Sequence, residues 1–273
     1  MEAPGWDGTG NETYASPKEL WQRVEGDKDA AWYTPAVAHW DKQPATYDGV
    51  LAGLGHLNGC DIAESRSFLK KAFARQLEAA LAGERRLVGL DCGAGVGRVT
   101  EQLLLSRCAQ VDLIEPSAHL LNAARATLAP SASSGDGCSS NGGASGERRH
   151  PPGHAAADFF QMGLQAFTPA PGRYDLVWMQ WALLYLTDDD ALAFFERLKA
   201  GMKPDGLIVI KENVCAAGFV VDKEDSSLTR SNQYLLQLFK RAGLVVMYNV
   251  LQRSFPKELF KVRMYALRFR ARS

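Results

Sequence analysis

Short apolar runs alternate with amphipathic segments along the second two thirds of the chain, and this alternation indicates an α/β fold. Seven runs of four to seven residues are predicted strands, at 86–91, 111–115, 159–162, 174–180, 207–211, 244–250 and 262–267. Predicted helices lie at 99–105, 117–128, 188–200 and 231–242. Because strands joined through helices run parallel, we expect a parallel sheet with helices on both faces. No helix of ordinary length fits between the last two strands, so these are expected to pair antiparallel.

Helical patterns also precede the first strand. Ser16 and Glu19 form a capping-box pattern that begins a helix. Further helical patterns follow at about 30–40 and 61–81. Residues 1–15 are Gly-rich and polar, which predicts a mobile N-terminal tail. The remainder of the chain, 16–273, is predicted to form a single domain.

One segment interrupts the alternation of strands and helices. Residues 130–153 contain no Val, Ile, Leu, Met, Phe, Tyr or Trp, and Ser, Gly and Pro dominate. Such a composition buries too little apolar surface to offset its ordering entropy. We therefore predict a disordered, low-complexity insertion at about 130–157, in the loop that connects the helix at 117–128 to the strand at 159–162.

The composition of the chain argues against several classes of function. Lys plus Arg and Asp plus Glu both number 31, and this balance argues against binding nucleic acid chiefly through phosphates. The five cysteines include no CxxC pair and the five histidines lack metal-ligand spacing, which argues against a disulfide framework and a metal site. The N-terminus lacks the features of a secretory signal, and no run approaches the ~18 apolar residues of a membrane span. We expect a soluble protein of the cytoplasm or nucleus that does not contact membranes.

A glycine-rich turn, Gly93-x-Gly95-x-Gly97, follows the first predicted strand. Glycines let a ligand approach the backbone closely, and Glu115, which ends the second strand, can accept hydrogen bonds from ribose hydroxyls. A dinucleotide fingerprint would place its third glycine at Arg98, so a nicotinamide-dependent oxidoreductase is disfavoured. The spacing favours S-adenosylmethionine, with Arg98 available to its carboxylate. The alternative is an ordinary tight turn between a strand and a helix.

Several further motifs occur together with this turn. They lie at 47–51, 91–98, 163–165, 180–181, 210–213, 222–230 and 266–268. Together they resemble the alpha-N-terminal protein methyltransferases, within the class I S-adenosylmethionine-dependent superfamily, over most of 30–268. The glycine turn is common to many methyltransferases, whereas Gln180-Trp181, Asn213 and Asp225-Ser226-Ser227 are specific to this family.

The resemblance implies a seven-stranded, Rossmann-like methyltransferase sheet with extra N-terminal helices and an inserted hairpin. It implies methylation of the α-amine of proteins that begin X-Pro-Lys or X-Pro-Arg after the initiator Met is removed, with S-adenosylhomocysteine as the other product. Proteins with such N-termini are the expected partners, and the enzyme is expected to be a monomer. By resemblance, the cofactor-binding residues are Gly93, Gly95, Arg98, Glu115, Leu164, Gln165 and Gln180.

Methyl transfer to an α-amine requires a neutral lone pair, whereas a free α-amine with a pKa near ~8 is mostly charged at neutral pH. By resemblance, Asp225 is the general base and Asn213 orients the amine. Tyr185 stands where the family carries a histidine, and a phenol with a pKa near ~10 is a poorer base than imidazole. We expect Tyr185 to hydrogen-bond the amine or a water molecule.

The resemblance also assigns the residues that bind the substrate peptide. Trp40 and Trp181 match the aromatic walls around the substrate proline, and Asp222, Asp225 and Ser227 match the subsite for its basic third residue. Taken singly, the two tryptophans would be core aromatics and the acids a solvated loop.

Two other functions stay open on the sequence alone. One is methylation of a small metabolite on the same fold, since fold does not fix substrate. The other is a non-catalytic scaffold that binds S-adenosylmethionine, which the absence of the family's histidine suggests.

Overall fold

The computed structural model describes residues 3–26, 32–128 and 150–270. Its helices and strands, numbered in chain order, are β1 Gly5–Asp7, β2 Thr13–Tyr14, α1 Pro17–Gly26, α2 Tyr33–Asp41, α3 Asn58–Ala72, α4 Ala74–Leu81, β3 Val88–Cys92, β4 Gln110–Ile114, α5 Ala118–Leu128, β5 Ala155–Phe160, β6 Tyr174–Gln180, α6 Asp188–Gly201, β7 Met202–Val214, β8 Phe219–Asp222, β9 Ser227–Arg230, α7 Asn232–Arg241, β10 Leu244–Leu251 and β11 Lys261–Phe269. Short 3₁₀ turns lie at Gly49–Leu51, Gly55–Leu57 and Leu183–Tyr185, and a π-helical turn lies at Thr100–Leu104.

A seven-stranded sheet in the order β10-β11-β7-β6-β3-β4-β5 forms the centre of the fold. The strands from β7 to β5 in this order run parallel, and β11 is antiparallel to both β7 and β10. The predicted α/β class and the predicted antiparallel pairing of the last two strands are therefore confirmed. A second sheet, β2-β1-β8-β9, contains the hairpin of β8 and β9 that the family resemblance implied.

Apolar side chains pack on both faces of the seven-stranded sheet, because alternate residues of a strand point to opposite sides. In β6, which is buried throughout, Trp178 packs in the cluster that contains α3, α4 and α5. Val177 and Met179 pack in the cluster that contains α6 and α7. Parallel strands that are covered on both faces read as continuous apolar runs. This burial explains why the bounds of β6 agree with its predicted range.

The predicted mobile tail at 1–15 is wrong for the part of it that the structure describes. Strand β1 pairs in parallel with β8, and β2 adds to β1 antiparallel. Asp7 closes the turn between them, since its carboxylate accepts hydrogen bonds from Oγ1 of Thr9 and from the N–H groups of Asn11 and Glu12 at 2.9, 2.9 and 3.2 Å. Strands of two or three residues are too short to show a hydrophobic period. The strand with which β1 pairs, β8, also lies far from it in the sequence, so the pairing could not be predicted.

Three other expectations differ in detail from the structure. Most of the predicted insertion at about 130–157 lies outside the described residues, and its last three positions begin β5. The helix predicted at 61–81 is divided at Phe73, whose φ of −125° and ψ of 21° end α3 before α4 begins. The helix predicted at 99–105 is mainly the π-helical turn. Within the described ranges, none of the helices has the length and apolar character needed to cross a membrane.

Candidate active site

A cavity lies at the carboxyl ends of β3, β4 and β6, beside the glycine turn; we call it the glycine-turn cavity. Gly93 and Gly97 have φ values of +70° and +76°, which favour glycine. A Cβ on Gly93 would lie 2.6 Å from Cβ of Ala182, and one on Gly97 would lie 2.4 Å from Cδ1 of Leu128. The turn therefore requires glycine for both its conformation and its packing. All seven predicted cofactor-binding residues line this cavity: Gly93, Gly95, Arg98, Glu115, Leu164, Gln165 and Gln180.

Two buried acids stand at the strand ends beside the turn. Glu115 follows β4, and its carboxylate accepts hydrogen bonds from the N–H groups of Gly95 and Ser117, both at 2.9 Å. Burial raises the pKa of Glu115 to about 7. Asp91, in β3, accepts from both N–H and Oγ1 of Thr100 at 3.1 and 2.7 Å, and burial raises its pKa to about 6. Glu115 therefore presents a carboxylate to a ligand, while Asp91 anchors the turn.

Arg98 belongs to a buried charged network centred on Asp61 of α3. The Asp61 carboxylate accepts from Arg98 at 2.8 Å, from Nζ of Lys211 at 2.5 Å and from Nε2 of Gln180 at 3.0 and 3.1 Å. Burial raises the pKa of Asp61, but the charges of Lys211 and Arg98 outweigh this effect and hold it below its ordinary value. The sequence alone assigned no role to Asp61 or Lys211. An ionisable residue on the buried face of a helix, or within a buried strand, is nevertheless a signal that the sequence could have offered.

The side chain of Gln180 is held from both sides. Its Nε2 donates to Asp61, and its Oε1 accepts from Nε1 of Trp178 at 3.1 Å. Leu164 is buried in the wall of the glycine-turn cavity, and Gln165 follows it. Leu164 and Ile114 give this part of the cavity an apolar lining.

A second, larger cavity lies next to the first, along the β8–β9 hairpin; we call it the hairpin groove. All the predicted catalytic and substrate-binding residues line it: Trp40, Trp181, Tyr185, Asn213, Asp222, Asp225 and Ser227. Trp40, Trp181 and Tyr185 line both cavities. The two predicted sets therefore occupy adjoining spaces whose common wall is aromatic.

Tyr185 links this aromatic wall to the acid of the hairpin turn. Its hydroxyl donates to Oδ2 of Asp225 at 3.0 Å and accepts from Nε1 of Trp40 at 2.9 Å. Burial and the charge of Asp225 raise the pKa of Tyr185 well above its usual value, so the phenol stays neutral. Burial also raises the pKa of Asp225, and the charge of Asp222 adds to this effect, although hydrogen bonds from Ser227 and Tyr185 oppose it.

Trp181 lies at the end of β6 in a left-handed conformation, with φ of +51°. Its Nε1 donates to Oδ1 of Asn213 at 3.1 Å, and its ring stacks on Phe255 with centroids 6.4 Å apart. Buried Glu212 supports the turn that follows, since its Oε1 accepts from the N–H groups of Ala182 and Leu183 at 3.0 and 2.8 Å. Glu212 lies within the 210–213 motif, but the sequence alone assigned it no supporting role.

The hairpin turn carries the acids that face the groove. Asp222 ends β8 opposite Ser227 of β9 and is exposed, and its Oδ1 accepts from the N–H of Glu224 at 2.9 Å. The Ser227 N–H donates to Oδ1 of Asp225 at 3.0 Å. The groove thus has an acidic side and an aromatic side. In the part of the chain that the structure describes, no group of three His, Cys, Asp or Glu residues could hold a metal ion.

Comparisons with known proteins identify the family of this chain. A family model described as AdoMet-dependent proline di-methyltransferase matches residues 27–268. The alpha N-terminal protein methyltransferase 1 of Arabidopsis thaliana is 43% identical, covering 98% of this chain and 91% of that protein. The N-terminal Xaa-Pro-Lys N-methyltransferase 1-B of Xenopus laevis is 35% identical, covering 89% of this chain and 97% of that protein. A solved SAM-dependent methyltransferase of Leishmania major superimposes with a TM-score of 0.80 at 35% identity, covering 98% of this chain and 97% of that one.

Proposed function

We infer the function of this chain from its family, because it belongs to the AdoMet-dependent proline di-methyltransferases. It is a methyltransferase that uses S-adenosylmethionine to methylate the N-terminal α-amine of proteins beginning X-Pro-Lys. We propose from the family resemblance that X-Pro-Arg is also accepted and that the initiator Met is removed first. One observation of the structure carries this assignment furthest. The glycine-turn cavity and the hairpin groove share Trp40, Trp181 and Tyr185 as lining residues, so a methyl donor in one and a peptide in the other would lie side by side.

The glycine-turn cavity fits S-adenosylmethionine. The buried Glu115 carboxylate would accept hydrogen bonds from the ribose hydroxyls. Arg98 retains donors for the methionine carboxylate, since a guanidinium has five N–H groups and its contact with Asp61 uses only part of them. Leu164 and Ile114 offer an apolar lining to the adenine. When bound, the cofactor supplies an electrophilic methyl group on its sulfonium, and S-adenosylhomocysteine is left.

The residues at the junction can prepare the α-amine. A free α-amine has a pKa near ~8 and arrives mostly as an ammonium. We propose that Asp225 accepts its proton, because burial brings the pKa of this acid closer to that of the amine. Asn213 orients the amine, since an amide oxygen that already accepts from Trp181 has a second lone pair. Tyr185 acts as a neutral hydrogen-bond donor that positions Asp225.

The hairpin groove suits the rest of the X-Pro-Lys motif. The flat faces of Trp40 and Trp181 offer a packing surface to the proline ring. Asp222 and Asp225 offer negative charge to the Lys or Arg, and the N–H of Ser227 holds the Asp225 carboxylate in place. Since residues of one chain line both cavities, we propose that the monomer is the active form.

A mass-spectrometric assay tests this function directly. The enzyme is incubated with S-adenosylmethionine and either a Ser-Pro-Lys peptide with a free N-terminus or its N-acetylated twin. We expect successive additions of one methyl group to the free peptide and none to the acetylated one. Cofactor binding without transfer to the free peptide would contradict the assignment, and transfer to both peptides would place the methyl group elsewhere.

A further inference from the structure

The N-terminal strand β1 extends the sheet that forms the wall of the hairpin groove. Its parallel pairing with β8 places Trp6 beside Val220, and β8 in turn pairs with β9. The face of this sheet that lines the groove consists of Trp6, Gly8, Val220, Asp222, Ser227 and Thr229. Trp6 is partly buried, so its indole is both supported and accessible.

The opposite face of the same sheet fixes β1 in place. Gly5 lies against Phe219 so closely that a Cβ at this position would be 2.2 Å from the phenyl ring. The N–H of Gly8 donates to the carbonyl oxygen of Val221 at 2.7 Å. Lys223, in the hairpin turn, forms ion pairs with Glu12 and, at 3.9 Å, with Asp7. The position of Trp6 is therefore set by both backbone pairing and packing.

We propose that Trp6 binds the substrate residues that come after the third, and this inference rests on the proposed function. Neighbouring strands are ~4.8 Å apart, and β1 is the direct neighbour of β8, so it lies one strand spacing beyond Asp222. An extended peptide covers that distance in about two residues. A peptide whose basic third residue meets Asp222 on β8 would reach β1 with its next residues. An indole offers a large apolar surface to them at small cost in side-chain entropy.

Trp6 also lies outside the part of the chain that the family model matches, which begins at residue 27. The contact would therefore add a requirement to the recognition of X-Pro-Lys rather than restate it. Substrate proteins that share the first three residues would be distinguished by their fourth and later residues.

The test compares two peptides of different length with the same start. Wild type, W6A, W6F and N11A are assayed on the tripeptide Ser-Pro-Lys and on a ten-residue peptide that begins Ser-Pro-Lys, with cofactor saturating. Asn11 is exposed on the same arm, does not line the groove and bonds to Asp7 through its backbone N–H, so N11A is the matched control. We expect W6A to raise KM for the long peptide at least about fivefold, to leave KM for the tripeptide and kcat unchanged, and W6F to restore most of the loss.

Two results would overturn this proposal. One is an unchanged KM for the long peptide in W6A, and the other is an equal rise for both peptides, which would indicate a general disturbance of the site. Failure of the wild type to methylate either peptide would instead refute the proposed function, so the two failures are distinguishable.

Discussion

The pairing of Tyr185 with Asp225 predicts a shift in the pH dependence of the enzyme. In the variant Y185F the phenyl ring remains, but the hydroxyl that donates to Oδ2 of Asp225 is lost. Because this hydrogen bond stabilises the charged carboxylate, its loss raises the pKa of Asp225. The proton-accepting form of Asp225 is then lost at a higher pH than in wild type. The acidic limb of the activity profile should therefore move to higher pH.

The size of the shift depends on the strength of the hydrogen bond. Bonds to charged groups contribute about 1.5–3 kcal/mol. Since Asp225 is only partly buried, the lower end of this range applies. About 1.4 kcal/mol corresponds to one pKa unit, so we expect the acidic limb to move up by about one unit. Activity on the alkaline side should change much less.

The assay is the profile of kcat/KM for a Ser-Pro-Lys peptide at saturating cofactor, because kcat/KM reports the ionisation of groups in the free enzyme. Y248F is the matched control, since Tyr248 lies on the exposed edge strand β10 and lines neither cavity. An acidic limb at the same pH in Y185F and wild type would refute the positioning role of Tyr185. A comparable shift in Y248F would show that the effect does not come from this contact.

Three further predictions concern other parts of the site. Burial raises the pKa of Glu115 to about 7, and the ribose hydroxyls of the cofactor donate to its charged form. Calorimetry should therefore show that cofactor affinity falls below about pH 7. E115Q should bind the cofactor about tenfold more weakly, and its affinity should not depend on pH in this range. The variant D61N leaves buried Lys211 without its carboxylate, and chemical denaturation should show a loss of about 3–5 kcal/mol in the free energy of unfolding. The variant D222K places a positive charge where the peptide's Lys binds and should raise peptide KM at least about tenfold without changing cofactor affinity.

Each of these predictions has a result that contradicts it. A pH-independent cofactor affinity in wild type would refute the role of Glu115. The control for D61N is D158N, which removes the exposed partner of Arg173 and should lower the free energy of unfolding by less than about 1 kcal/mol. A similarly small loss in D61N would show that the buried network around Asp61 does not stabilise the fold. E224K adds the same charge to the same turn at a residue that does not line the groove, so an equal rise in KM for E224K and D222K would argue against a specific subsite.

Sequence pattern predicted the central sheet well, because its strands are buried on both faces. The run at 174–180 agrees with β6, and the capping pattern at Ser16 corresponds to a hydrogen bond from the N–H of Glu19 to Oγ of Ser16 at 3.3 Å. Strand β1 could not be predicted, because three residues are too few to show a hydrophobic period. The strand also forms only by pairing with β8, which lies near the other end of the chain. Local pattern cannot show such a distant partner.

Some residues of the candidate site could likewise be predicted from the sequence, and others could not. The glycine turn and Glu115 could be linked from spacing alone, because both follow adjacent strands. The groove residues came from the family resemblance and not from any pattern. The partnership of Asp61 with Lys211 joins residues 150 positions apart and could not be inferred from either one. The role of Tyr185 as a donor to Asp225 depends on a contact that only the folded chain makes.

The placement of tryptophan in this fold has an optical consequence. Of the six tryptophans in the chain, Trp40 and Trp181 line both cavities, Trp6 lines only the hairpin groove, and Trp178 is enclosed in the core. Since indole emission shifts with the polarity around the ring, ligands entering either space should change the intrinsic fluorescence against a constant background from Trp178. Filling the glycine-turn cavity would alter the emission of Trp40 and Trp181 but not that of Trp6. The part of the emission change that is lost in W6F therefore reports occupancy of the hairpin groove alone.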